Sequence, residues 1–153
     1  MPDVLAAIRP DSVSIALFVH VLGAMVLVGG LLTAAGALGL GWRGDDHRLL
    51  RFGYRALLAV ALPGWILMRV GAGWTESREH LPDDFEPTWL TIGFVAAELG
   101  GALLLVSLVL GGIGVRRLRH GRGSGLLKAS TLISVLLLAT YLVAVWAMAG
   151  KPG

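Results

Sequence analysis

The chain has 153 residues, 56% of them hydrophobic and 15% charged, with a mean hydropathy of +0.76, a balance that excludes a water-soluble globular domain. With 0 Cys it also excludes thiolate metal sites, thioether-attached haem, disulfides and redox dithiols. The net charge of +3 does not point to nucleic acid, because the basic residues sit in short clusters against the ends of apolar segments, where they meet lipid headgroups.

Four apolar stretches fill one membrane domain over 1–153, and the expected fold is an all-α four-helix transmembrane bundle. The first span covers about 14–40, with His20 as its only ionisable residue. Ahead of it, Asp3, Arg9 and Asp11 make the wrong charge pattern for a secretory leader, so the helix is read as retained. The second span, about 54–74, has a charge-free core of only 13 residues between Arg55 and Arg69, and crosses if both arginines snorkel outward. Within it Pro63 removes a backbone donor and crowds the Ala59 carbonyl, which predicts a kink or local opening. Glu76, Glu79, Asp83, Asp84 and Glu86, with Pro82 and Pro87, then read as an acidic loop. The third span, about 89–115, holds Glu98 alone, and the fourth covers about 126–149.

Nine of the 13 Lys and Arg fall after the first and third spans: Arg43, Arg48, Arg51, Arg55, then Arg116, Arg117, Arg119, Arg122 and Lys128. By the positive-inside rule these two regions are cytoplasmic, and both termini and the acidic loop face outward. The second group, Arg116 to Lys128, reads as a topology-setting basic face that can also hold anionic lipid. Small residues mark expected helix contacts at Gly93, Ala97 and Gly101 and at Ala35 and Gly39.

Ionisable groups inside a span are costly, so His20 and Glu98 are the first site candidates. At 1.5 Å per residue they lie about 10 and 12 Å below the outer entry points, Tyr141 falls at a similar depth, and Arg69 and Trp65 lie at or above it. The small residues three and four positions on, Gly23 and Ala24 after His20, Gly101 and Ala102 after Glu98, suggest that both polar groups aim inward and meet. A hydrogen-bonded clasp, proton transfer, ligand binding and haem or metal ligation all stay open for such a pair. His47, His80 and His120 fall in loops, so a b-type haem held by two histidines of one chain is not expected. Met25, Met68 and Met148 read as packing residues. No P-loop, nucleophile elbow or HExxH is present, and GRGSG at 121–125 is a turn.

The stretches VHVLGAMVLVGG at 19–30, LPGWILMRVGAGW at 62–74 and YLVAVWAMAGKPG at 141–153 resemble the bacterial DUF2269 family of integral membrane proteins. The resemblance implies a four-helix, multi-pass protein of the bacterial inner membrane without an assigned activity, in which His20, Pro63, Lys151 and Pro152 match recurrent positions. The chain is more distantly similar to the membrane domains of copper-resistance D proteins and of the HemJ-type protoporphyrinogen oxidase, which also begin with a histidine-bearing helix. It departs from both in lacking further intramembrane histidines.

The first expectation is therefore a binding, subunit or transporter-like membrane protein with its polar site in the outer leaflet, no cofactor, and a homo-oligomer or membrane partner. The alternative is a haem-binding oxidoreductase or electron carrier with His20 as axial ligand to haem b. Proton-coupled transport through Glu98 ranks third.

Overall fold

Asp46 determines where the first crossing ends and the second begins. Its carboxylate accepts from the backbone N–H groups of Arg48 (2.7 Å) and Leu49 (3.3 Å), and its own N–H bonds to the Gly41 carbonyl (2.9 Å). This N-cap starts a new helix two residues after the old one stops, with Asp45 in the left-handed region (φ 50°) making the reversal. In the computed structural model, which describes residues 11–79, 88–121 and 125–150, the helices are α1 (Asp11–Gly44), α2 (His47–Ala56), α3 (Leu62–Glu79), α4 (Thr88–Arg119) and α5 (Gly125–Gly150). A π-helical turn, Leu57–Ala61, joins α2 to α3 into one crossing.

The basic stretch after the first span is thus helical. Arg48, Arg51 and Arg55 alternate with Leu50, Gly53 and Ala56, which are buried, so α2 is an amphipathic first segment of the second crossing rather than a loop. The acidic loop also begins later than expected: Glu76 lies within α3 and Glu79 ends it. Asp83, Asp84, Glu86, His80, Arg122, Lys151 and Pro152 lie outside the described residues. The opening expected at Pro63 is the π turn immediately before it, which absorbs the missing N–H and the crowded Ala59 carbonyl without breaking the span. At the other basic end, α4 runs on through Arg116, Arg117 and Arg119, cations favoured at a helix C-terminus, and stops at Gly121 (φ 66°), whose N–H bonds to the Leu118 carbonyl.

Four segments are long and apolar enough to cross a bilayer: Ile15–Gly44, His47–Ser77, Thr91–Arg119 and Gly125–Gly150. The bundle is inverted relative to a soluble one. Phe18, Met25, Leu32, Leu40, Leu99, Val109, Leu132 and Trp146 are all more than half exposed, while Ser107, Ser130 and Ser134 are fully buried. So large a continuous apolar surface is compatible only with hydrocarbon around it, and the chain is an integral, multi-pass membrane protein.

Packing pairs α1 with α2–α3 and α4 with α5, and α1 also lies against α5. The first pair meets backbone to backbone through glycines spaced seven apart on each helix. A Cβ at Gly64 would stand 2.5 Å from the Leu27 nitrogen, and one at Gly30 2.7 Å from the Ala61 nitrogen; at Gly23 and Gly71 it would collide with the backbones of Met68 and His20. The expected small-residue stripe on α4 serves a different purpose. Gly93 receives the Met148 methyl and Gly101 the Trp65 indole, so it admits large side chains rather than a neighbouring backbone. Gly39 faces open space.

Between α4 and α5 the contact is a hydroxyl clasp. Ser107 and Ser130 share an Oγ···Oγ bond of 2.9 Å, the Ser130 hydroxyl also reaches the Ser107 carbonyl (3.1 Å), and Ser134 donates to the Ser130 carbonyl (2.8 Å). Hydrogen bonds between membrane helices contribute about 0.6 kcal/mol on average and up to about 1.7. Ser107→Ala and Ser130→Ala are each expected to destabilise the purified protein by about 1 kcal/mol, and the double variant by less than the sum. Additive losses in thermal unfolding would show that the two hydroxyls do not act together.

Candidate polar site within the bundle

The polar residues singled out from the sequence share one stratum. His20, Arg69, Glu98 and Tyr141 each lie nine or ten residues from the helix ends at Asp11, Glu79, Thr88 and Gly150, about 14 Å along their axes. Their partners differ from expectation. His20 and Glu98 do not bond to each other; each takes a partner from the second crossing, at consecutive positions.

His20 sits half-buried in the glycine seam, its backbone against Gly71, and its Nδ1 lies 2.9 Å from the Met68 carbonyl. A carbonyl can only accept, so Nδ1 is the donor and, in the neutral ring, Nε2 carries the free lone pair. One position further along α3, about 100° around the helix, the Arg69 guanidinium reaches the Glu98 carboxylate (2.5 Å). Glu98 does not aim inward. Its side chain is 61% exposed, and the neighbouring Phe94, Val95 and Leu99 share that outer face. The reason is the rotation of α4: Ala97, Gly100 and Gly101 turn to the interior to accept Trp65 and Tyr141, which leaves Glu98 at the margin where α3 passes closest.

Trp65 and Tyr141 fill the space behind the ion pair. The indole Nε1 of Trp65 donates to the Ala97 carbonyl (3.1 Å), and its ring rests on Gly101. Tyr141 is 3% exposed, and a Cβ at Gly100 would stand 2.5 Å from its hydroxyl, so the phenol lies against the α4 backbone. Its oxygen is buried beside the Trp65 indole N–H, which is already committed to the Ala97 carbonyl, and its O–H has no acceptor among the described residues. Such a group ordinarily costs about 1–3 kcal/mol. The arrangement is an ion pair open to the side of the bundle, with a guanidinium that has donors to spare, backed by a phenol whose O–H lacks an acceptor among the described residues.

No family model, curated protein or solved structure matches this chain. The site has to be read from its own chemistry. Among the described residues no three His, Asp or Glu side chains cluster as metal ligands, and His47 and His120 lie at the opposite, basic end from His20. Among the described residues His20 is therefore the one imidazole at its end of the bundle. Of the methionines, Met68 is buried in the seam, Met148 packs into Gly93 and Met25 faces outward, an arrangement of packing side chains rather than a line of sulfur ligands.

Two contributors were not identified from the sequence. The serine clasp is one, since single hydroxyls scattered through a span have no period that reveals which face is buried. Trp65 as the bridge between α3 and α4 is the other. The adjacent Gly100 and Gly101 are the signal for it, two missing side chains that leave room for two rings.

Proposed function

We propose that the protein is a binding module or subunit of a membrane assembly, transporter-like in form, whose working site is the Arg69–Glu98 pair in the outer leaflet with Tyr141 and Trp65 behind it. One observation carries this reading. An ion pair at a bundle margin exposed to hydrocarbon stabilises the fold poorly, and beside it a buried O–H donor has no acceptor among the described residues, so the polar groups are arranged for something that approaches from the side. A ligand or partner helix with a carboxylate or amide would engage the remaining guanidinium donors. The outer placement follows from the positive-inside rule, and the bacterial inner membrane from the family resemblance.

The second reading is a haem-binding oxidoreductase or electron carrier using His20. It is favoured by the Nδ1 bond to the Met68 carbonyl, the kind of contact that fixes the tautomer and orientation of ligating imidazoles. Against it stands the single imidazole at that end of the bundle among the described residues. An ultraviolet-visible spectrum of detergent-purified protein, before and after haem supplementation, separates the two. The first reading expects no Soret band in either sample. A band that His20→Ala abolishes establishes the second and overturns the first.

A further inference from the structure

At the basic end of the bundle an open groove of about 570 Å³ runs between α1 and α5. Its floor is made by absence: Gly36 and Gly39 have nothing within 4 Å of where a Cβ would be, so two missing side chains hollow the face of α1. Leu132 and Val135 form the opposite wall, and the one hydroxyl present, on Thr131, is already committed to the Leu127 carbonyl at 2.8 Å. The groove is therefore apolar along its length. From Arg43 to Ala35 along α1 it extends about 12 Å toward the middle of the membrane.

The mouth is different in character. Arg43 and Trp42 line it, and the Lys128 ammonium lies 5.3 Å from the centre of the Trp42 ring. Both cations are exposed, and neither forms an ion pair among the described residues. An apolar groove that opens at headgroup level beneath two exposed cations and an interfacial tryptophan has the polarity of a single amphiphile laid along the bundle.

We propose that this groove seats one acyl chain of an anionic phospholipid of the surrounding bilayer, with the phosphate held between Arg43 and Lys128. A second copy of the chain is the rival occupant. A two-fold contact through the groove would bring Arg43 and Lys128 against their own copies, and that like-charge meeting opposes it, whereas an anionic headgroup neutralises both. The seat lies at the opposite end from the Arg69–Glu98 pair and stands independently of any role for that pair.

The test uses the whole protein reconstituted in phosphatidylcholine vesicles containing equal small fractions of either brominated phosphatidylglycerol or brominated phosphatidylcholine. The fluorescence of Trp42, taken as the difference between wild type and Trp42→Phe, reports bromine in the groove. Brominated phosphatidylglycerol is expected to quench at least about fivefold more effectively, given about 1 kcal/mol for each cation near an anionic surface. Arg43→Gln with Lys128→Gln is expected to erase that preference, and Gly36→Val with Gly39→Val to reduce quenching by both lipids. Equal quenching of wild type by the two lipids overturns the proposal. So does weak quenching by both together with concentration-dependent cross-linking of two copies, which assigns the groove to a dimer. If a variant fails to fold, native mass spectrometry of the wild type decides: retention of phosphatidylglycerol over phosphatidylcholine supports the seat, and indifference removes it.

Discussion

Replacing Gly64 by valine is expected to leave almost no folded protein, and replacing it by alanine to cost about 1–3 kcal/mol. The added Cβ would stand 2.5 Å from the Leu27 nitrogen and 2.9 Å from its Cα, and backbone atoms in the middle of a membrane helix cannot rotate aside as a side-chain tip can. The helices would have to separate, and separation loses all of the seam at once, because Gly23, Gly30 and Gly71 make the same kind of contact. Gly23→Ala should therefore behave like Gly64→Ala. Gly29 and Gly73 provide the control: both face open space, and alanine there removes no contact and gains up to about 1 kcal/mol of helix propensity. Thermal unfolding of detergent-purified variants, followed by size-exclusion chromatography, measures the difference. If Gly64→Ala and Gly29→Ala unfold together, the close approach of α1 and α3 is not what holds the first pair of spans.

The contrast between these glycines explains how far the sequence could be read. Span number, the local opening at Pro63 and the common depth of His20, Arg69, Glu98 and Tyr141 depend only on hydropathy, on proline chemistry and on a fixed rise per residue, all of which are local. The facing of each residue depends on which helices become neighbours. Glycine gives no sign of whether it faces a backbone, as at Gly64, a ring, as at Gly101, or lipid, as at Gly29. The same gap misdirected the polar site. Small residues follow both His20 and Glu98, yet those after His20 admit the α3 backbone while those after Glu98 admit Trp65 and Tyr141, and the two polar groups end on separate partners, the Met68 carbonyl and Arg69. Boundaries shifted where capping outweighed hydropathy, as at Asp46, which caps a helix beginning at His47, seven residues before the expected span start at 54.

Neutralising Arg69 or Glu98 singly is expected to destabilise the protein more than neutralising both. Glu98→Gln leaves the guanidinium without its counter-ion inside a span, and Arg69→Gln does the same to the carboxylate; an unpaired charge at the centre of a membrane helix costs about 2.5–3.5 kcal/mol, which bounds each loss from above. The exposure of the pair, 32% for Arg69 and 61% for Glu98, lets each side chain bend toward headgroups or water and places the expected losses nearer 1–2 kcal/mol. The double variant leaves neither partner of the pair charged and should recover most of the stability, giving a clear coupling in the double-mutant cycle; two additive losses would mean that the ion pair does not form in the bilayer. Arg69→Glu combined with Glu98→Arg should also recover, since the exchange keeps the pair while moving its charges between α3 and α4. The neutral double variant then separates fold from function. It keeps the helices, the Trp65 bridge and Tyr141 while removing both charges of the pair, so an activity that disappears in it without loss of thermal stability is an activity of the Arg69–Glu98 pair.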